Sequence, residues 1–251
     1  LTSRTTEKCQ ESISALKKEF PEFPVENYFT NFPLDISNSQ SIVNLTNSLK
    51  EKNIKLDILL NNAGVNNKKE PRSLDTFNYI FNTNLFGTIE ITESFLKEKI
   101  FNKNSKIIHV SSQLGKIQLL ESKELQELFR KKTSEKEYCF FLAEKFKKAI
   151  ETNTLEKEGW VNCYHVSKMI LNKYTQILAE DMTVKENDIQ IYACHPGWVK
   201  TDMGGENADL TIDEGCVTPI YLVELEHKVN KEFQGRYFND KKELDDCGLG
   251  I

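Results

Sequence analysis

Tyr164 and Lys168 stand four positions apart in a stretch, 162–180, whose apolar residues recur at helical spacing. Their side chains therefore share one helix face. An ammonium beside a phenol favours the phenolate and lowers a pKa that starts near about 10, so the pair suits moving a proton to or from an alcohol oxygen. Tyr-x-x-x-Lys alone is a short pattern with many chance matches. Its weight depends on the elements around it.

Those elements alternate between strand-like and helix-like period along the whole chain, which argues for a wound α/β domain. The apolar run Leu56-Asp57-Ile58-Leu59-Leu60 reads as a strand covered on both faces and ends in Asn61-Asn62-Ala63-Gly64. A second buried strand, Lys106-Ile107-Ile108-His109-Val110, ends in Ser111-Ser112. Both endings fall at the carboxyl edge, where open α/β sheets bind ligands. Asn84 lies in Asn82-Thr83-Asn84-Leu85-Phe86-Gly87, inside one long helix expected over 74–99, and Pro196-Gly197 follows the strand after the Tyr/Lys helix. Residues 28–32 read as a short strand, and helices are expected over 41–52 and 213–227. Either Thr5 or Thr6 could cap a first helix.

Taken in order, these pieces resemble the short-chain dehydrogenase/reductase family, and among its members the monomeric carbonyl reductases. The resemblance implies a Rossmann-like, doubly wound parallel sheet in one domain over residues 1–251. Ser112 and Tyr164 are 52 positions apart, whereas most of the family spaces them by about a dozen. The carbonyl reductases carry a helical insert there, and residues 118–158, rich in Glu and Lys, read as a helical pair packed on the body. Glu158-Gly159-Trp160, the run Cys194-His195-Pro196-Gly197-Trp198-Val199-Lys200-Thr201-Asp202-Met203, and Gln234-Gly235-Arg236 also match that group.

The resemblance implies catalytic roles for Asn84, Ser112, Tyr164 and Lys168. Tyr164 would give its proton to a substrate carbonyl oxygen that Ser112 holds by a hydrogen bond. Lys168 would hold the nicotinamide ribose and tune Tyr164, and Asn84 would keep a water chain to bulk. Arg4, at the end of a strand where an NAD-dependent member commonly has a carboxylate, favours NADP(H). Asp35 with Ile36 would contact adenine, Asn62, Ala63 and Gly64 the adenosine ribose, and Pro196, Gly197, Val199 and Thr201 the nicotinamide side. Trp198 and Met203 would wall an apolar substrate site, favouring aldehydes, ketones and quinones. The insert would lie over the surface through which other members pair, so a monomer is expected.

Family members open with a strand and a Gly-rich turn that receives the pyrophosphate at a helix amino end. Here the earliest glycine is Gly64. The expectation is a fragment lacking that first strand and turn, about 30 residues, with a gap in the sheet between residues 1–3 and 56–60. Such a chain would bind NADPH weakly and turn over slowly. Two rivals remain. Sugar-nucleotide epimerases share Tyr-x-x-x-Lys but need a large carboxyl-terminal domain, and only 83 residues follow Lys168. A degenerate homologue kept as a binding protein is the other.

Composition narrows the field. The 251 residues carry 33 Lys and Arg against 38 Asp and Glu, a net charge of −5, and the dense basic runs are interleaved with Glu, so nucleic acid is a poor partner. No uninterrupted apolar run reaches about 18 residues, so no membrane-crossing helix is expected. Six cysteines without a C-x-x-C pair fit a reducing cytoplasm. The histidines at 109, 165, 195 and 227 have no metal-like spacing, and no metal is expected. His109 reads as a hydrogen-bonded core residue, Cys163 and Cys194 as small buried apolar ones.

Overall fold

The computed structural model describes residues 1–226, 233–239, 242–244 and 249. The chain opens with β1 (Thr2–Ser3) and α1 (Thr6–Glu19), whose first turn is capped by Thr5, its hydroxyl accepting from the Lys8 N–H at 3.3 Å. A single helical turn, α2 (Val25–Tyr28), precedes β2 (Phe32–Pro33). The strand expected over 28–32 is therefore displaced. Pro24 stands at the N-cap with φ −76°, close to the helical value, so the chain turns there, and Phe23 stacks on Tyr28 at 4.9 Å.

After α3 (Ser39–Glu51), capped by Asn38, come β3 (Leu56–Asn61), α4 (Leu74–Phe81), α5 (Gly87–Lys97) and β4 (Phe101–Val110). The helix expected over 74–99 is interrupted by a π-helical turn, Asn82–Phe86, closed by the Gly87 N–H on the Asn82 carbonyl. Such turns widen the helix by one residue and re-aim the side chains they carry. The insert holds three helices rather than two: α6 (Lys123–Arg130), α7 (Glu137–Glu151) and α8 (Leu155–Glu158). Gly159 ends α8 with φ 77°, where a Cβ would come within 2.7 Å of the Ser122 nitrogen. Trp160 then packs edge-on against Phe146 at 5.3 Å and Phe129 at 6.4 Å. The chain continues through α9 (Cys163–Ala179), α10 (Met182–Glu186), β5 (Gln190–Cys194), α11 (Ile212–Glu224), β6 (Tyr237–Asn239) and β7 (Lys242–Leu244). His227 and Cys247 lie outside the described residues.

Two sheets result. β1 pairs with β2 in parallel, and a separate sheet runs β3-β4-β5-β6-β7, parallel except for β7. The break falls between β1 and β3, where the sequence places a gap. It leaves β3, whose composition suits a covered strand, at a sheet edge with Leu60 42% exposed. The two parts are joined through helices instead: Ile42, Leu45 and Leu49 of α3 pack with Ile36 against Ile91, Phe95 and Ile100. The approach is close enough that a Cβ on Gly87 would meet the Ile36 carbonyl oxygen at 2.0 Å. On the large sheet, α9 is buried on both sides, against β5 and beneath α4 and α7, and α11 covers the opposite face.

Candidate active site

The carboxyl ends of β3, β4 and β5 open into a cleft of about 740 Å³. Twelve of the residues expected from sequence line it: Asn62, Ala63 and Gly64 after β3, Ser112 after β4, Tyr164 and Lys168 on α9, and Pro196, Gly197, Trp198, Val199, Thr201 and Met203 after β5. Asn84 lies just beneath, fully buried. Its side chain accepts from the Val65 N–H at 2.8 Å and donates to the Val65 carbonyl at 3.0 Å and the Ser167 hydroxyl at 3.3 Å. The π-helical turn is what aims it there. A Cβ on Gly64 would lie 3.7 Å from both Asn84 Oδ1 and Lys168 Nζ, so Gly64, Asn84 and Lys168 form one compact corner.

Arg4, Asp35 and Ile36 are placed differently. All three follow the strands of the small sheet and none lines the cleft. Arg4 is exposed, Ile36 is buried under α5, and the Asp35 carboxylate accepts from the Ser37 N–H at 3.0 Å and the Ser37 hydroxyl at 2.6 Å, closing a local turn.

Lys168 is buried, and its ammonium donates to the Val110 carbonyl at 2.8 Å. Burial brings its pKa down to about 8, slightly opposed by the nearby Cys194 thiol. Tyr164 does not follow the expectation of a depressed phenol. Burial pushes its pKa up, and a hydrogen bond with Ser112 offsets part of the rise. The reason is geometric: the ammonium lies 6.0 Å from the ring centroid and is turned to a backbone carbonyl. At neutral pH the phenol therefore keeps its proton, as a proton donor must.

His109 is a hydrogen-bonded core residue. The Thr175 hydroxyl donates to the Leu171 carbonyl at 2.9 Å, so at the 2.9 Å contact with His109 it accepts from the Nδ1–H. Burial, and then the Lys168 charge, bring the imidazole pKa down to about 3. Cys163 and Cys194 are buried, each thiol pushed up to about 12 by desolvation.

Comparison with known proteins identifies related sequences and folds. A family model described as short chain dehydrogenase matches residues 1–122. Carbonyl reductase (NADPH) 1 of Rattus norvegicus is 32% identical over 250 residues, which is 96% of this chain and 86% of the relative. The chain belongs to the short-chain dehydrogenase family. Carbonyl reductase (NADPH) 3 of the same organism is 36% identical over 199 residues, 76% of this chain and 71% of the relative. Among solved structures, salutaridine reductase from Papaver somniferum superposes with a TM-score of 0.79 at 23% identity, covering 96% of this chain and 90% of that one. An NADPH-bound carbonyl reductase from chicken fatty liver gives 0.63 at 24% identity, covering 95% and 83%. These two likenesses show a shared fold.

Several cleft residues of this short-chain dehydrogenase were not singled out from sequence: Asn66, Lys68, Gln113 and Leu114. Gln113 adjoins the Ser111-Ser112 segment, and its place could have been inferred from the strand end. Nothing in the pattern marks Lys68. Among the described residues no group of three or more His, Cys, Asp or Glu could hold a metal ion, and no helix is long and apolar enough to cross a membrane.

Proposed function

We propose that the chain reduces carbonyl compounds to alcohols with NADP(H), and that its substrates are aldehydes, ketones or quinones of largely apolar character. The observation that carries this reading is the meeting of Ser112, Tyr164 and Lys168 in one cleft, with Asn84 directly under Gly64. The two rat relatives are both named for NADPH-dependent carbonyl reduction, which supports the same activity here.

The cleft fits the nicotinamide half of the cofactor. Gly64 leaves an open cradle beside Lys168 and Asn84 that a larger side chain would fill, and Lys168 would hold the ribose there. Val199 and Thr201 would face the carboxamide, Pro196 and Gly197 would shape the turn beneath them, and Asn62 and Ala63 would run along the adenosine ribose. Arg4 would take the 2′-phosphate, and Asp35 with Ile36 the adenine. When bound, NADPH supplies the hydride for the carbonyl carbon. Ser112 holds the carbonyl oxygen and Tyr164 delivers its phenolic proton to it. Lys168, held on the Val110 carbonyl in the same cleft, would supply positive charge near the phenol as it loses that proton. Asn84 anchors Val65 and, through Ser167, the first turns of α9, fixing the corner beside Lys168 through which a proton would be returned from water.

Trp198 and Met203 form the apolar wall, the indole N–H being held by the Gly204 carbonyl at 3.0 Å. Packing of α7 over α9 and α4 supports a monomer. Consumption of NADPH in the presence of a quinone tests the proposal, with formation of the hydroquinone measured alongside. A chain that binds NADPH yet forms no alcohol product from any aldehyde, ketone or quinone would favour the second reading, a homologue kept for binding.

A further inference from the structure

We propose that Lys106, on β4 and on the far side of the sheet from α9, is a remote positioning residue for the cleft wall. The argument rests on the reading of that wall as part of a reductase site. Lys106 is 8% exposed, and its ammonium donates to three carbonyls at the foot of α11: Leu222 at 3.2 Å, Val223 at 2.6 Å and Leu225 at 2.5 Å. The last turn of a helix leaves its carbonyls without intrahelical partners, and they carry the negative end of the helix dipole. One buried cation therefore ties three of them to strand β4.

The head of the same helix carries the wall. Thr211 and Glu214 close a capping box there. Gly215 in the first turn packs so tightly on Val199 that a Cβ would come within 2.5 Å of Val199 Cγ2. The residue before the cap is stitched to the wall as well: the Leu210 N–H donates to the Trp198 carbonyl at 3.0 Å, and the Lys200 N–H to the Leu210 carbonyl at 2.8 Å. α11 runs about 20 Å between these two ends, with Pro219 at its middle removing one intrahelical bond. Lys106 thus fixes the axial position of α11, and α11 fixes Trp198 and Val199.

Hydrogen exchange on the whole chain, with and without Lys106→Met, reads this directly and needs no turnover. The expected result is exchange about fivefold faster or more across amides 198–210, with amides 107–110 of β4 unchanged and Lys106→Arg restoring the original rates. Should Lys106→Met fail to fold, Lys106→Gln, which keeps a donor, is expected to show a smaller acceleration in the same segment. Gly215→Ala, which disturbs the head, should combine with Lys106→Met less than additively. In turnover, Lys106→Met should raise KM for the quinone with kcat nearly unchanged. Acceleration spread evenly over the sheet, no change at 198–210, or full additivity would overturn the proposal and leave Lys106 a stabilising cap only. If exchange behaves as expected while no variant reduces any carbonyl, the reductase reading fails and the mechanical link stands.

Discussion

The Lys168 ammonium lies 6.0 Å from the centre of the Tyr164 ring. The two groups face the same cleft while the amine is tied to Val110, and burial holds its folded pKa at about 8 against an ordinary 10.5. Between those values the unfolded chain binds more protons than the folded one, so Lys168 makes stability rise with pH across that window. Urea unfolding of the wild type and Lys168→Met at neutral and at alkaline pH checks this. The wild type should gain on the variant as pH passes from about 8 towards about 10. A difference independent of pH would contradict the buried ammonium.

His109 makes the opposite demand on the acid side. Its folded pKa of about 3 lies below the ordinary 6.5, so below 6.5 the unfolded chain takes up a proton that the folded chain refuses. Stability from this group is complete above pH 6.5 and is lost as pH falls towards 3. His109→Gln should therefore lose less stability than the wild type between neutral pH and about pH 4, measured by denaturant midpoints. Equal losses would show that the ring is not the group being titrated.

Gly87 is fixed by contact rather than by backbone conformation. Gly87→Ala would drive a Cβ against the Ile36 carbonyl oxygen and should cost about 1 to 3 kcal/mol or more, because backbone on both sides must give. Calorimetric unfolding checks it. An unchanged midpoint would mean that the small sheet and α5 are not packed as described.

The candidate site was legible because its members end elements of strong period or share a helix face. Asn62 to Gly64, Ser112 and Pro196 close apolar strands, and Tyr164 and Lys168 share a helix face. What sequence pattern missed depends on contacts between distant segments. The π-helical turn that aims Asn84 at Val65 and Ser167 adds one residue to a turn, too small a change in the 3.6-residue period to be seen in sequence. The helical turn at Val25 is set by Pro24 against a β-like run of aromatic residues. The phenol of Tyr164 was read from its neighbour's charge, whereas burial, which sequence does not display, governs it.

The role proposed for Arg4 in cofactor choice can be tested although the residue stands outside the cleft. If Arg4 takes the 2′-phosphate, Arg4→Ala should reduce the preference for NADPH over NADH by about tenfold while leaving binding of NADH nearly unchanged. Titration calorimetry with both nucleotides measures it. An unaltered preference would assign the 2′-phosphate to other groups.

Proton delivery by Tyr164 is tested most directly by Tyr164→Phe, which removes one oxygen from the cleft and keeps the ring. The rate of NADPH-dependent quinone reduction should fall by about 100-fold or more, with NADPH affinity and the unfolding midpoint nearly unchanged. Equal rates in the two proteins would contradict the account.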